Sequence, residues 1–146
     1  MDFLYQDPYP ILKDDTQYKK LTSDYVKVEQ LGDREILVVD PKGLELLAQE
    51  AMDDVSFMLR SAHLQKLRNI IEDPEATDND RFVAYNLLQN AAVAVEGQLP
   101  SCQDTGTAIV VAKKGENVYT GVDDGEWLSK GIYNTYQNKN LRYSQI

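Results

Sequence analysis

The sequence predicts an α+β domain, rich in helix, with helices packed against a small antiparallel sheet of hairpins. Three segments repeat apolar residues at three- and four-residue steps, the spacing that places them on one helix face. Two pairs of short runs rich in β-branched residues bracket glycine-containing turns, as hairpins do. Helices are mixed with separate hairpins instead of alternating strictly with single strands, which argues for an α+β arrangement. With 146 residues, 42% of them hydrophobic and 27% charged, the chain has the length and makeup of one domain with one core.

Residues 1–25 read as an extended leader arm and residues 26–146 as the α+β domain. The arm carries Pro8 and Pro10 with Tyr5, Tyr9, Tyr18 and Tyr25 at no regular period, so its tyrosines are expected to anchor it on a surface. The alternative is a frayed leader resting on its own domain. Tyr25–Glu29 and Arg34–Asp40 flank Leu31-Gly32-Asp33 and predict the first hairpin. Pro41 suits the first turn of a helix whose apolar face is Leu44, Leu47, Ala48, Ala51, Met52, Val55, Met58 and Leu59. Leu64, Leu67, Ile70 and Ile71 mark a second helix. Asp73-Pro74 ends it, because the residue before a proline is driven out of the helical region. Thr77 and Asp80 resemble a capping box with Asp in place of Glu, opening a third helix through Phe82, Val83, Leu87, Ala91 and Val95 to a stop at Gly97. Thr107–Ala112 and Asn117–Thr120, around Lys113-Lys114-Gly115-Glu116, predict a second hairpin. Asp123 and Asp124 then cap a last helix carrying Leu128, Ile132, Tyr133 and Tyr136.

Charge and cysteine use narrow the function classes. The 24 acidic against 15 basic residues give a formal charge of −9, which repels a phosphate backbone, so no nucleic acid is expected as a partner. The longest apolar runs, Ala91–Val95 and Ala108–Ala112, fall far short of the roughly 20 residues that span a bilayer, so no membrane segment is expected. One cysteine cannot close an intramolecular disulfide. The opening MDFLYQDPYP has neither the basic region nor the apolar stretch of a secretory signal, which makes a reducing cytoplasm the expected compartment.

Few residues offer chemistry. His63 is the sole histidine, sits in a helical pattern and has no second ligand at metal-binding spacing, so a structural or exposed role is expected for it. The pairs Asp14-Asp15, Asp53-Asp54 and Asp123-Asp124 are adjacent, and adjacent side chains do not face one another on a helix or strand. Asp104-Thr105-Gly106 matches the triplet of aspartic proteases, in which two aspartates share a proton. Those proteins are nearly all strand and precede the triplet with an apolar strand, whereas Ser101-Cys102-Gln103 stands here. Cys102 has three readings: a buried apolar thiol, a nucleophile lacking a histidine tied to it, or a thiolate ligand whose companions come from elsewhere. Pro100 and Gly106 bracket it as a loop, where Gln103 and Asp104 can meet a ligand.

Four stretches, LPSCQDTGTAIVVAKKG, GIYNTYQNKNLRYSQ, SFMLRSAHLQKL and FLYQDPYPILKDDTQYKKLT, together resemble the class I, iron-sulfur fumarate hydratases, over nearly the whole chain. The same hydro-lyase group includes the L-tartrate dehydratases. The resemblance implies a 4Fe-4S cluster held by three cysteines of a longer polypeptide, of which Cys102 is the first. It also implies that Gln103 and Asp104 face a small dicarboxylate substrate, fumarate or malate, with proton transfer as a second role for Asp104. Arg142 would bind a substrate carboxylate. The physical logic agrees: a cluster on three thiolates leaves one iron open as a Lewis acid, and arginine offers a planar fork to a carboxylate. Family members continue past Ile146, so the resemblance implies an amino-terminal fragment, inactive alone, whose partner is the remainder of the same polypeptide and which forms a homodimer when complete. An L-tartrate dehydratase, or a non-catalytic interaction domain using the tyrosine-rich arm and acidic surface, are the alternatives.

Overall fold

The computed structural model describes residues 3–10, 13, 17–102, 107–139 and 141. Among them lie β1 (Val26–Leu31), β2 (Arg34–Val39), α1 (Pro41–Phe57), α2 (Ser61–Glu72), α3 (Asp78–Ala94), β3 (Val118–Tyr119) and α4 (Asp124–Asn138). The architecture is α+β, as expected, and no helix or strand precedes Val26 among the described residues.

β1 and β2 form the expected hairpin, with Leu31 opposite Arg34 so that Gly32 and Asp33 make the turn. Val26 faces Val39 and Val28 faces Leu37, an apolar cross-strand row on one face. The Asp40 N–H donates to the Tyr25 carbonyl at 2.8 Å and closes the open end. Asp40 also caps α1: its carboxylate accepts from the Lys42 N–H at 2.9 Å, and Pro41 sits where a missing N–H costs nothing. The helix ends at Phe57, short of the predicted Leu59, with Met58 as an extended C-cap.

The second hairpin is a correction. β3 is only two residues long and pairs parallel to β2, Leu37 with Val118 and Val38 with Tyr119, giving the order β1-β2-β3. Thr107–Ala112 carries no strand and makes no ladder among the described residues. Ile109, Val110 and Val111 are 83%, 51% and 68% exposed. The physical reason is competition for partners. β-branched composition measures how well side chains fit a half-buried pleated surface, and here β2 supplies that surface to Asn117–Tyr119, with the Leu37 N–H donating to the Asn117 carbonyl at 2.8 Å. The sheet is therefore mixed, one antiparallel and one parallel pair, instead of a set of antiparallel hairpins.

Parallel strands need a crossover, and the helices between β2 and β3 provide it. α4 follows β3 as α1 follows β2, and the two helices run in the same direction. Asn134 Nδ2 donates to Glu45 Oε1 at 2.8 Å, Thr135 Oγ1 to the Gln49 carbonyl at 2.9 Å, and Lys139 pairs with Asp53 at 3.1 Å, so partners advance together. Buried Gly131 lies directly against the α1 backbone: a Cβ there would overlap the Glu45 carbonyl and come within 2.8 Å of the Ala48 Cβ. Beyond this contact Phe57, Tyr136 and Leu141 make the core, with Met52 and Ile132 packed on it. α2 and α3 form a second pair that buries Leu67 and Ala84. The Thr77–Asp80 capping box opens α3 as predicted, both hydrogen bonds being present at 3.2 and 2.9 Å.

The corner between β3 and α4 is fixed by polar groups. Lys114 Nζ donates to Asp124 Oδ2 at 2.6 Å and to Thr120 Oγ1 at 3.1 Å, and the Thr120 hydroxyl donates to Asp124 Oδ1. The Lys114 bond first, then the Thr120 bond, holds the Asp124 carboxyl below its ordinary value of 3.8.

Two outcomes are expected. Gly131→Ala destabilises the fold by roughly 1–3 kcal/mol despite the better helix propensity of alanine, because the overlap is with backbone; urea midpoints check it. A folded-state pKa that is lowered contributes stability above the ordinary carboxyl value and loses it as pH falls through the depressed one. Lys114→Met should therefore raise the Asp124 titration midpoint in carboxyl NMR, with Thr120→Val raising it less.

Candidate functional site

The loop carrying Cys102 is built from the end of α3. Val95 caps the helix, and Gly97, at φ +74°, adopts the left-handed turn that a side chain resists, with its N–H on the Ala94 carbonyl at 2.9 Å. The chain then doubles back along α3. At the return the Cys102 N–H donates to Asn90 Oδ1 at 2.9 Å, one turn before the helix ends. The Ser101 N–H donates to the Ser56 carbonyl at 2.7 Å, near the end of α1. Ser56 is itself fully buried, and its hydroxyl donates to the Met52 carbonyl at 2.6 Å.

Cys102 is a free, exposed cysteine, so it is not a sealed apolar thiol. Ser101 beside it is only 4% exposed, and its hydroxyl has no hydrogen-bond partner among the described residues. Leaving such a group unpaired costs about 1–3 kcal/mol. Thr107–Ala112, expected as a strand shortly after this loop, forms none, and the loop is held by the α3 side chain of Asn90 and the α1 carbonyl of Ser56.

Gln103, Asp104 and Arg142 lie outside the described residues, so of the four predicted site residues only Cys102 has a described environment. His63 is exposed on α2, and its N–H bonds the Arg60 carbonyl at 2.9 Å. Among the described residues no group of three or more His, Cys, Asp or Glu side chains could hold a metal ion. Of the clefts among the described residues, two lie on the helices. One, of about 560 Å³ between α2 and α3, is edged by Asp73, Glu75 and Asp80 with no basic lining residue, and so would repel a dicarboxylate. The other, of about 330 Å³, runs from Phe57 and Leu64 to Leu88 and Val95 and is apolar throughout. Neither offers a cation to an anionic substrate.

Asn90 and Ser56 were not singled out from sequence. Asn90 carries a weak signal, an amide near the end of a helix that a reversing loop follows. Ser56 carries none, because it acts through its backbone carbonyl.

Fold and loop together define an α+β unit that displays one unpaired thiol on a helix-clamped turn. The family model described as Fumarate hydratase (Fumerase) matches residues 45–146. Over 143 residues, 98% of this chain, the identity is 56% to the anaerobic class I fumarate hydratase of Escherichia coli K12 and 54% to the aerobic class I enzyme of the same strain. Over 133 residues it is 51% to the mitochondrial fumarate hydratase 1 of Leishmania major. The chain belongs to the class I fumarate hydratase family, as its amino-terminal portion. It spans about a quarter of the length of these relatives, 26% of each Escherichia coli protein and 24% of the Leishmania one.

An exposed single thiol makes a direct expectation. Under native conditions one maleimide per chain should add to Cys102, at a rate within about tenfold of the urea-unfolded chain, since access rather than unfolding then limits the reaction. Labelling that occurs only on unfolding would contradict the exposed placement; intact mass against time reads it.

Proposed function

We propose that this chain is part of a class I fumarate hydratase that reversibly hydrates fumarate to L-malate, and that Cys102 is one thiolate ligand of its 4Fe-4S cluster. The observation that carries the reading is the 56% identity extending over 98% of the chain to a protein named for that activity. The described residues fit such a group in part. Cys102 is exposed and in no disulfide, and a buried hydroxyl without a partner among the described residues stands next to it. One thiolate does not hold a cluster, so the other ligands would come from further along the family's polypeptide.

When bound, the cluster would supply a Lewis-acidic iron for the substrate hydroxyl. The chain's own residues have other tasks in this proposal. Gln103 and Asp104, directly after the ligand, face the substrate, Asp104 also moving a proton. Arg142 takes a substrate carboxylate in two parallel hydrogen bonds, supplying the positive charge that an acidic chain must place locally for a dianion. Residues 26–146 form the domain that holds these groups, and residues 1–25 an arm that lies on the rest of the protein, as does exposed Ile109–Val111. The complete protein works as a homodimer in the cytoplasm, where reducing conditions keep the thiol available.

The test is anaerobic reconstitution with iron and sulfide. The 146-residue chain alone is expected to hold no stable cluster and to turn over neither fumarate, malate nor tartrate. The complete polypeptide is expected to hold one cluster and to act on fumarate and malate, with tartrate as the discriminating substrate. Cys102→Ser should cost the complete protein its cluster and at least about 10²-fold in activity, as expected when a first ligand of a catalytic metal is lost. Unchanged iron content and activity in that variant would sink the assignment in favour of a non-catalytic role for the loop.

A further inference from the structure

We propose that Asn90 is the positioning residue of Cys102: its side-chain carbonyl, fixed on α3, holds the backbone of the cysteine so that the sulfur is presented outward in one place. The inference rests on the reading of Cys102 as a cluster ligand and adds the group that aims it.

The geometry is specific. Cys102 follows a reversing turn, and a loop of that kind ordinarily moves with its tip. Here two consecutive amides are anchored to two different helices: the Ser101 N–H to the Ser56 carbonyl of α1 at 2.7 Å, the Cys102 N–H to Asn90 Oδ1 of α3 at 2.9 Å. Ser101 is buried and Cys102 exposed, so the chain crosses from interior to surface between these two bonds. The first bond is made by backbone and survives substitution. The second depends on one side chain. Asn90 is partly buried, and an amide with two χ angles anchored on a helix fixes position better than a water would. The buried Ser101 hydroxyl beside the thiol has no hydrogen-bond partner among the described residues. Residues that orient a metal ligand from behind are worth about 10–100-fold in metal retention when removed.

Three measurements test this. In the unaltered 146-residue chain the Cys102 amide should be protected from hydrogen exchange although its side chain is exposed; an unprotected amide overturns the proposal before any variant is made. Asn90→Ala should then raise that exchange rate by about tenfold or more, whereas Asn90→Asp, which keeps an acceptor oxygen, should restore most of the protection, with circular dichroism showing the helices intact in both. In the complete cluster-loaded polypeptide, Asn90→Ala should speed iron loss to a chelator about 10–100-fold, followed by the visible absorbance of the cluster, and Asn90→Asp should lie closer to the parent. Faster amide exchange with unchanged iron loss would overturn the positioning role. Failure of the underlying reading is distinguishable: there Cys102→Ser keeps its iron, while the effect of Asn90 on the Cys102 amide persists.

Discussion

The close approach of α1 and α4 at Gly131 is the constraint on which the rest of the structure depends. Two helices that run in the same direction cannot be joined by a short turn, so they need long intervening chain and a surface on which backbones can nearly touch. Gly131 and Ala48 supply that surface, and Thr135 spends its hydroxyl on the Gln49 carbonyl across it. With α4 seated this way, β3 lies beside β2 in the parallel sense and the Phe57, Tyr136 and Leu141 cluster closes at the far end. The same packing leaves the end of α1, with Ser56, facing the loop that returns from α3.

That loop presents an exposed sulfur with no strand beneath it among the described residues. Helix α3 contributes its last full turn, Gly97 reverses the chain, and successive amides are tied to two different helices. The thiol is thus displayed from a junction between the α1/α4 and α2/α3 pairs. The clefts described on the helices, one acidic and one apolar, are poorly suited to an anionic ligand.

Surface charge contributes to order more than to energy here. The ion pairs of Lys27 with Glu29 and of Arg68 with Glu72 join largely solvated groups, whose net worth is small. The Lys114, Thr120 and Asp124 trio differs in kind, because it spans the β3–α4 corner and involves a buried threonine hydroxyl. It orders the chain between the short parallel strand and the helix that the core requires.

Local chemistry wrote much of this fold into the sequence. Asp40-Pro41, the Thr77 and Asp80 box, Asp123 and Gly97 each act within a few residues, so their helix ends were legible, as was the β1–β2 turn at Gly32. The exposed loop setting of Cys102 was legible for the same reason, from Pro100 and the turn residues around it. Tertiary structure alone decided which strand β3 would join, that Thr107–Ala112 would form no ladder, and that Ser56 and Asn90 would hold Ser101 and Cys102 respectively. Those outcomes rest on contacts between residues 12 to 89 positions apart, such as Cys102 with Asn90 or Asn134 with Glu45, whose energy depends on where whole elements pack. A periodic pattern announces that a face will be buried; only the packed chain settles against what.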